Sequence, residues 1–290
     1  MKSVGRNAIS IHSWGGLGSQ LLALGLLLDL LKTYPDRGFT LVIHSSGVTR
    51  RVSEIEKLSK LVDIVFIDDF IPATSISKEH RSPCGLMFVR FLKWILNFTR
   101  IVITRDSREF AIKPWTRSIR CHYGLVSITR ESIKTISSYI PRISHVNDNA
   151  DEFLIGIHFR AGDLHKEKSS SLVSFEVISG LVASTMKNHV GKNLRLMILS
   201  DSSIDENSIR ELNGIDYTWE VKNTWETFSS FLSPNSFIGT NSKISLWVAL
   251  FRWSLEIPGE IYLPESLHKQ FELITRTSTG KFSGIRSRHY

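Results

Sequence analysis

The sequence predicts an α/β protein built from two lobes, each a doubly wound parallel sheet, and three observations support this. Short apolar runs alternate with helical patterns in both halves of the chain. A polar, turn-rich segment, 141–152, separates the two alternations. The length of 290 residues suits one large domain or two modest ones. We therefore expect lobes over residues 1–150 and 151–270, followed by a basic tail over 271–290.

The first half begins with a strand, a glycine loop and a helix, the half-unit of a doubly wound sheet. Residues 8–12 predict the strand, WGGLGSQ forms the loop, and residues 21–32 predict the helix. Free amides at such a helix start can bind an anion, although glycine loops also serve close strand–helix packing. Strands at 39–43 and 62–67, with a helix at 52–61 between them, complete a βαβ pattern.

The segment 86–103 leaves two interpretations open. It is apolar with three interspersed cations, which is typical either of an amphipathic helix on an anionic membrane or of a core helix whose cations face water. The core interpretation is favoured, because most such stripes are buried. A further helix is expected at 129–139.

The second half is organised around residues 154–165. Apolar residues 154–157 predict a buried strand, which leads into His158, Arg160 and Asp163. Ligands of open α/β sheets bind beyond the carboxyl ends of the strands, and an arginine can grip a phosphate with two parallel N–H bonds. An internal Arg160–Asp163 ion pair at the strand end is the alternative, and the spacing alone favours neither.

Two further strands of this half, predicted at 194–199 and 236–239, also end in polar residues. These residues are Ser200, Asp201, Thr240, Asn241, Ser242 and Ser245, the last four of them starting a helix that runs to residue 253. Because parallel strands end on one side of a sheet, one crevice could gather all of them. We expect Arg160 and the helix amides to hold a diphosphate, with Asp201 or His158 on a base or ribose. Each cluster alone also fits an ordinary ion pair or helix cap.

The remaining patterns of the second lobe complete its alternation of helices and strands. Helices are expected at 172–187, 204–212 and 224–232, and a last strand at 260–263. The basic, Gly/Ser-rich tail from residue 276 is expected to pack loosely.

Composition and charge limit the kinds of partner, compartment and metal site that we expect for this protein. The net charge of +8 indicates an anionic partner, which could be nucleotide phosphate, an acidic membrane surface or nucleic acid. Two cysteines fit a reducing compartment, and no His, Asp or Cys cluster has the spacing of a permanent metal site. The apolar run 21–31 is too short to cross a bilayer and lacks a cleavage site, so we expect a cytoplasmic protein.

Four segments, in order along the chain, resemble segments of the α1,2-/α1,6-fucosyltransferase superfamily. HFRAGD at 158–163 resembles its HxRRGD motif, and GGLGSQL at 15–21 resembles its opening GGLGNQL. LSDS at 199–202 is similar to its FSDD segment, and TNSKISLWVAL at 240–250 to its NSSFSWWxAWL helix. Together the four segments span nearly the whole chain.

The resemblance implies a metal-independent, inverting glycosyltransferase of the GT-B fold, with two Rossmann-like lobes facing a central cleft. It places the nucleotide-sugar donor in the C-terminal half and the glycan acceptor largely in the N-terminal half. Arg160 matches the family arginine that binds the β-phosphate and stabilises the leaving diphosphate, a task that falls to a cation when no metal is present. The matching segments imply donor contacts at His158, Arg160, Ser200, Asp201, Asn241, Ser242, Ser245, Gly16, Gly18, Ser19 and Gln20.

Four departures from the family pattern leave the donor sugar open. They are Ala161, Ser19, Ser202 and Leu246, which replace an arginine, an asparagine, an acid and a tryptophan. GDP-fucose is the donor that the resemblance implies, and another GDP-linked or a CMP-linked sugar is the alternative. The expected role is bacterial-type surface polysaccharide synthesis, with peripheral contact at the inner membrane face left open.

The sequence does not assign the general base that an inverting transfer needs on the acceptor hydroxyl. Asp163 is the nearest candidate, ahead of His165 and Glu167, although it can instead order Arg160 through an ion pair. The competing class is a non-catalytic nucleotide- or carbohydrate-binding protein, because fold does not determine function. A nucleic-acid binder ranks third, since the basic charge is dispersed and no nucleic-acid motif is recognised.

Overall fold

The chain packs as two compact units, Met1–Ser132 and Ile133–Tyr290, and the expected lobe boundaries stay a prediction. The structure, a computed structural model, describes residues 8–45, 54–69, 83–141, 151–160, 173–200, 215–276 and 285–290. Each unit contains a parallel sheet with helices, which confirms the predicted α/β class with two sheet-based lobes. The cleft expected between the lobes stays a prediction.

The first unit contains a five-stranded sheet in which every described pairing is parallel. Its strands are β1 (Ile9–Trp14), β2 (Phe39–His44), β3 (Ile64–Ile67), β4 (Val102–Ile103) and β5 (Ser118–Ile119). Their order is β3-β2-β1-β5-β4. Strands β2 and β3 lie on one side of β1, and β4 and β5 lie on the other side, so the strand order reverses between β1 and β5.

The helices of the first unit are α1 (Leu17–Thr33), a 3-10 helix (Glu54–Leu58) and α2 (Pro83–Phe98), and α3 (Arg130–Ser137) runs along the chain across the division into the second unit. Helix α1 packs on β1 and β2 and is apolar on almost every side, which explains why most of it is buried. It starts before the predicted residue 21, because Gly15 turns the chain at φ +91° immediately after β1. The helix predicted at 52–61 is wrong for the described residues, which form only the 3-10 helix.

The burial of helix α2 differs most from what its apolar sequence pattern predicted. Its segment was expected to be core, yet the described apolar side chains along one stripe are exposed: Met87 72%, Phe91 57%, Trp94 53% and Phe98 74%. The core interpretation is therefore wrong for these side chains. Among the described residues, no helix is both long and apolar enough to span a bilayer.

The second unit contains a six-stranded sheet, again with only parallel pairings among the described strands. Its strands are β6 (Glu152–Phe159), β7 (Asn193–Ser200), β8 (Asp216–Val221), β9 (Ser236–Gly239), β10 (Gly259–Leu263) and β11 (Ile285–His289). Their order, β11-β10-β9-β6-β7-β8, is that of a doubly wound sheet. The order reverses between β6 and β9, and open α/β sheets bind ligands beyond the carboxyl ends of the strands at such a reversal.

The helices of the second unit are α4 (Phe175–Asn188), α5 (Thr224–Ser230), α6 (Lys243–Ser254) and α7 (Glu265–Arg276). Helix α4 packs its apolar stripe on β6 and β7 in one continuous core. Helix α6 is buried along its whole length from Ser245 onwards, so its continuous apolar sequence reflects burial on all sides. The helix predicted at 204–212 lies outside the described residues.

Five elements were not predicted: β4, β5, β8, α7 and β11. Helix α7 has the ordinary amphipathic spacing, with Leu267, Phe271 and Ile274 buried on one face. Strand β11 pairs in parallel with β10 over its full length. The expectation of a loosely packed tail is therefore wrong for residues 285–289, which form the edge strand of the second sheet.

Candidate functional site

Three polar strand ends of the second unit lie side by side at the reversal of strand order. In the register of the sheet, His158 on β6 lies opposite Leu199 on β7 and opposite Gly239 on β9. Phe159 then lies opposite Ser200, the buried last residue of β7. The structure therefore brings together the described members of the three predicted clusters, because the three strands are immediate neighbours in the sheet.

Arg160 is the first residue beyond β6, and Thr240 hydrogen-bonds both to it and to the strand just before it. The Arg160 N–H donates to Thr240 Oγ1 at 3.0 Å, and the Thr240 N–H donates to the carbonyl of His158 at 3.1 Å. Thr240 is buried and directly follows β9. These two bonds fix the Cα position of Arg160 at the crevice, so that its guanidinium starts from a rigid strand end.

His158 and Ser245 contact each other below this strand end. His158 Nδ1 and Ser245 Oγ are 2.7 Å apart, and both side chains are buried. A Cβ on Gly239 would lie 2.6 Å from the Cβ of Ser245, so glycine at this position allows α6 to approach β9 closely. The contact joins β6 to the start of α6, and the donor contacts expected at His158 and Ser245 stay predictions.

The N-terminus of α6 lies at the same edge of the sheet. Ser242 is its N-cap, and the Ser242 Oγ accepts a hydrogen bond from the Ile244 N–H at 3.2 Å. The cap interpretation is therefore confirmed for Ser242. Half-buried Asn241 precedes the cap, and no acidic residue lies in the first turn. A helix start without acids retains its partial positive charge for an anion.

The C-terminal residue also reaches this edge. Tyr290 donates its hydroxyl to the carbonyl of Gly239 at 2.6 Å, and its N–H to the carbonyl of Leu263 at 3.3 Å. Burial raises the pKa of the Tyr290 phenol, so the hydroxyl stays protonated as a donor. Residue 290 was not among the predicted site residues, because the tail was expected to be loose.

Other predicted site residues cannot be placed at this crevice. Asp163 and Asp201, together with Ala161, Ser202, His165 and Glu167, lie outside the described residues. Their expected roles stay predictions.

The glycine loop of the first unit contains the remaining predicted donor residues. Gly16 is the N-cap residue of α1 and accepts the Ser19 N–H at 2.9 Å, and Gly18 is buried. Gln20 donates its Nε2 to the carbonyl of Gly15 at 3.0 Å, while its buried Oε1 has no partner among the described residues. The described contact of Gln20 therefore closes the loop, and the donor contacts expected at Gly16, Gly18, Ser19 and Gln20 stay predictions.

A chain of hydrogen-bonded side chains crosses the first sheet, and sequence reasoning missed it. Asp69 Oδ2 lies 2.8 Å from His44 Nδ1, and His44 Nε2 lies 2.7 Å from His12 Nδ1. His12 Nε2 lies 3.0 Å from Ser10 Oγ. The Trp14 ring stacks on His44 at 4.5 Å with an interplanar angle of 11°. Both imidazoles are thereby held by a hydrogen bond at each ring nitrogen, which fixes their orientation.

A signal for this network was present in the sequence. His44 ends the apolar run of β2, and Asp68-Asp69 follows β3, the same polar strand-end pattern that marked the second half. His12 precedes Trp14 by two residues on β1, which places both side chains on one face of the sheet. Only the pairing of β1 with β2 shows that His12 and His44 are neighbours.

The His12 imidazole is neutral at pH 7. Burial, then the charge of Arg120 and that of His44, lower the pKa of His12 from 6.5 to about 4. As the pH falls, the unfolded chain therefore binds this proton before the folded chain does. The contribution of the neutral His12 to the free energy of unfolding is complete above pH 6.5 and decreases towards pH 4. We expect this histidine to account for a loss of up to about 3 kcal/mol over that interval.

The measurement is urea unfolding of the wild type, His12→Gln and His122→Gln at pH 7.0, 5.5 and 4.5. The His12→Gln variant should lose less stability on acidification than the wild type. The exposed His122 is the matched control and should leave the pH dependence unchanged. Equal acid sensitivity of His12→Gln and wild type would contradict a buried neutral imidazole.

Cys121 is not a candidate nucleophile. Burial, with the nearby Asp106 carboxylate as the next cause, raises the pKa of the Cys121 thiol to about 12. The thiolate, which is the reactive form, is therefore absent at neutral pH.

No protein-family model and no curated protein matches this chain. Among solved structures, it is similar to E. coli heptosyltransferase WaaC with ADP, at 10% identity and TM-score 0.47, over 97% of this chain and 93% of that one. A glycosyl transferase family 9 structure from Veillonella parvula has 10% identity and TM-score 0.45, over 98% and 87%. The apo form of POFUT1 has 11% identity and TM-score 0.40, over 88% and 97%. The assignment of the site rests on its own residues.

Proposed function

We propose that this chain is an inverting glycosyltransferase of the GT-B type whose second unit binds the nucleotide-sugar donor. The observation that carries the proposal is the placement of Arg160 and the start of α6 together at the reversal of strand order. The hydrogen bonds between Arg160, Thr240 and His158 fix one cationic strand end there. A cation beside an acid-free helix N-terminus suits the diphosphate of a nucleotide sugar.

In the proposed reaction the acceptor hydroxyl oxygen attacks the anomeric carbon of the donor sugar. The bond from that carbon to the β-phosphate oxygen breaks, and its electron pair stays on the departing diphosphate. Arg160 stabilises this growing negative charge, the task that electrostatic catalysis assigns to a fixed cation. A general base takes the hydroxyl proton, with Asp163 as the first candidate. Fucose from GDP-fucose is the first candidate for the transferred group, ahead of other GDP-linked or CMP-linked sugars.

A thermal-shift panel with GDP, UDP, CMP and dTDP, each with and without EDTA, tests this proposal. GDP at about a hundred times its dissociation constant should add roughly 2.7 kcal/mol of stability, and EDTA should not change it because Arg160 supplies the positive charge. Sugar transfer from GDP-fucose to a glycan, measured in parallel, separates an enzyme from a binding protein.

The Arg160→Ala variant is the control for the location of binding, because its stabilisation by GDP should decrease. Stabilisation by UDP or CMP alone would show that the donor carries that nucleotide and not GDP. Binding that depends on magnesium or manganese would contradict the metal-independent class. Stabilisation by GDP without any transfer or donor hydrolysis would favour a non-catalytic nucleotide-binding protein.

A further inference from the structure

The first unit has a pocket of its own, with a volume of about 610 Å³. Its lining comes from the end of β1, the segments that follow β4 and β5, and one face of α2. Strands β1 and β5 flank the point where the order of the first sheet reverses, the place where open α/β sheets hold ligands. The volume lies within the range of about 300–1,000 Å³ typical of small-molecule sites.

The lining of this pocket is strongly cationic. In the part of the chain that the structure describes, no carboxylate belongs to the lining or pairs with its cations. The acid closest in sequence, Asp106, accepts the N–H groups of Tyr123 and Gly124 at 2.9 and 2.6 Å. A concave surface with several cations and no carboxylate in its described lining concentrates anions. The cations are Arg90 and Lys93 on α2, Arg105 after β4 and Arg120 after β5.

Two indole rings complete the lining, and both are held by neighbouring rings. Trp94 stacks on Phe91 at 6.2 Å and on Phe98 at 5.5 Å. Trp14 stacks on His44, which Asp69 and His12 fix by hydrogen bonds. An inorganic anion gains nothing from such surfaces. The C–H face of a sugar ring is apolar and flat, and it packs well on a rigid aromatic ring.

We propose that this pocket binds an acidic sugar, a glycan unit that carries a carboxylate or a phosphate. The cations bind the acidic group, and the indoles of Trp14 and Trp94 cover the sugar ring. The shape favours a glycan over a membrane surface, because the cations and the indoles line a cavity of their own. Within the proposed function this sugar is the acceptor, and only that role rests on the transferase assignment.

Isothermal titration with four small probes tests the proposal without any transfer reaction. The probes are methyl β-D-glucuronide, glucose 6-phosphate, methyl β-D-glucoside and inorganic phosphate. We expect one or both acidic sugars to bind at least about tenfold more tightly than the neutral glucoside and phosphate, with weaker binding at 0.5 M salt. The stronger of the two acidic probes identifies a carboxylate or a phosphate as the recognised group.

Two pairs of variants locate the binding site. Trp94→Ala and Arg105→Ala should each weaken binding of the acidic sugar at least about tenfold. The first removes the indole that covers the sugar ring, and the second removes a cation that binds the acidic group. Met87→Ala on the same helix and Arg108→Ala in the same loop are matched controls, exposed and outside the described lining, and should bind as the wild type does. Melting temperatures should stay unchanged for all four, since the altered side chains are exposed.

Several outcomes would overturn the proposal. These are equal binding of acidic and neutral sugars, binding of inorganic phosphate alone, no loss in Trp94→Ala or Arg105→Ala, or binding only to vesicles that contain phosphatidylglycerol. Arg160→Ala distinguishes this proposal from the proposed function, because it should lower sugar transfer at least about a hundredfold and leave acidic-sugar binding intact. Acidic-sugar binding in a chain without transferase activity would support the pocket and contradict the acceptor role.

Discussion

Arg160→Ala should lower the turnover of sugar transfer at least about a hundredfold while the protein stays folded. Removing one preorganised group that stabilises transition-state charge has an effect of this size. The negative charge on the diphosphate grows as the glycosidic bond breaks, so turnover should fall more than donor affinity. The fold should persist because Arg160 is only half-buried and its hydrogen bond to Thr240 Oγ1 uses the backbone N–H, which alanine retains.

Arg160→Lys should restore activity only in part, because an ammonium group cannot reproduce the planar two-bond grip of a guanidinium. Arg195→Ala is the matched control, a half-exposed arginine on β7 that pairs with Glu152 and Asp216. It should change neither turnover nor nucleotide affinity.

Turnover and melting temperature must be measured on the same preparations. If Arg160 only forms an ion pair with Asp163, the alanine variant is less stable and remains fully active per folded molecule. That result would remove Arg160 from the donor site and leave the crevice without its cation.

Arg252→Ala should be the most destabilising of the proposed substitutions, by about 3–5 kcal/mol. The side chain is 0% exposed, and its guanidinium donates to the carbonyls of Phe231 at 2.9 Å and Pro258 at 3.0 Å. Burial lowers the pKa of Arg252 to about 10, so the group is still charged at neutral pH. Alanine would leave a cavity in α6 and two carbonyls without this donor.

Urea unfolding at pH 7 measures this effect, with two companion variants. Arg252→Met fills most of the volume without donating, so the difference between Met and Ala separates packing from hydrogen bonding. Arg276→Ala, an exposed arginine paired with Glu272 on α7, should cost no more than about 0.5 kcal/mol. A loss for Arg252→Ala as small as that of Arg276→Ala would show that the buried guanidinium does not hold α6 in place.

The local elements were predictable because their signals are local. The apolar runs at 39–43, 194–199 and 236–239 correspond closely to β2, β7 and β9, since burial in a parallel sheet selects short apolar stretches bounded by polar residues. Elements whose sequence lacks this contrast were missed. Strand β8 is largely exposed at the edge of its sheet, and β5 has only two residues.

Helix α2 shows the limit of periodicity as a guide to burial. A stripe of apolar residues indicates a helix, but the same stripe can pack on a core or stay exposed beside a pocket. Whether it is buried depends on what the rest of the fold places against it. In this chain the described stripe carries exposed aromatic rings, and Trp94 lines the cationic pocket.

By itself the sequence determined the fold class, most strands and helices, and the polar ends of β6, β7 and β9 as candidate site positions. Only the tertiary structure decided which distant residues meet. Strand order places His12 against His44, and Arg105 with Arg120, although these residues are separated along the chain. The physical reason is that periodicity and turn residues report the environment of a segment, whereas a site forms where parallel strands from different segments end together.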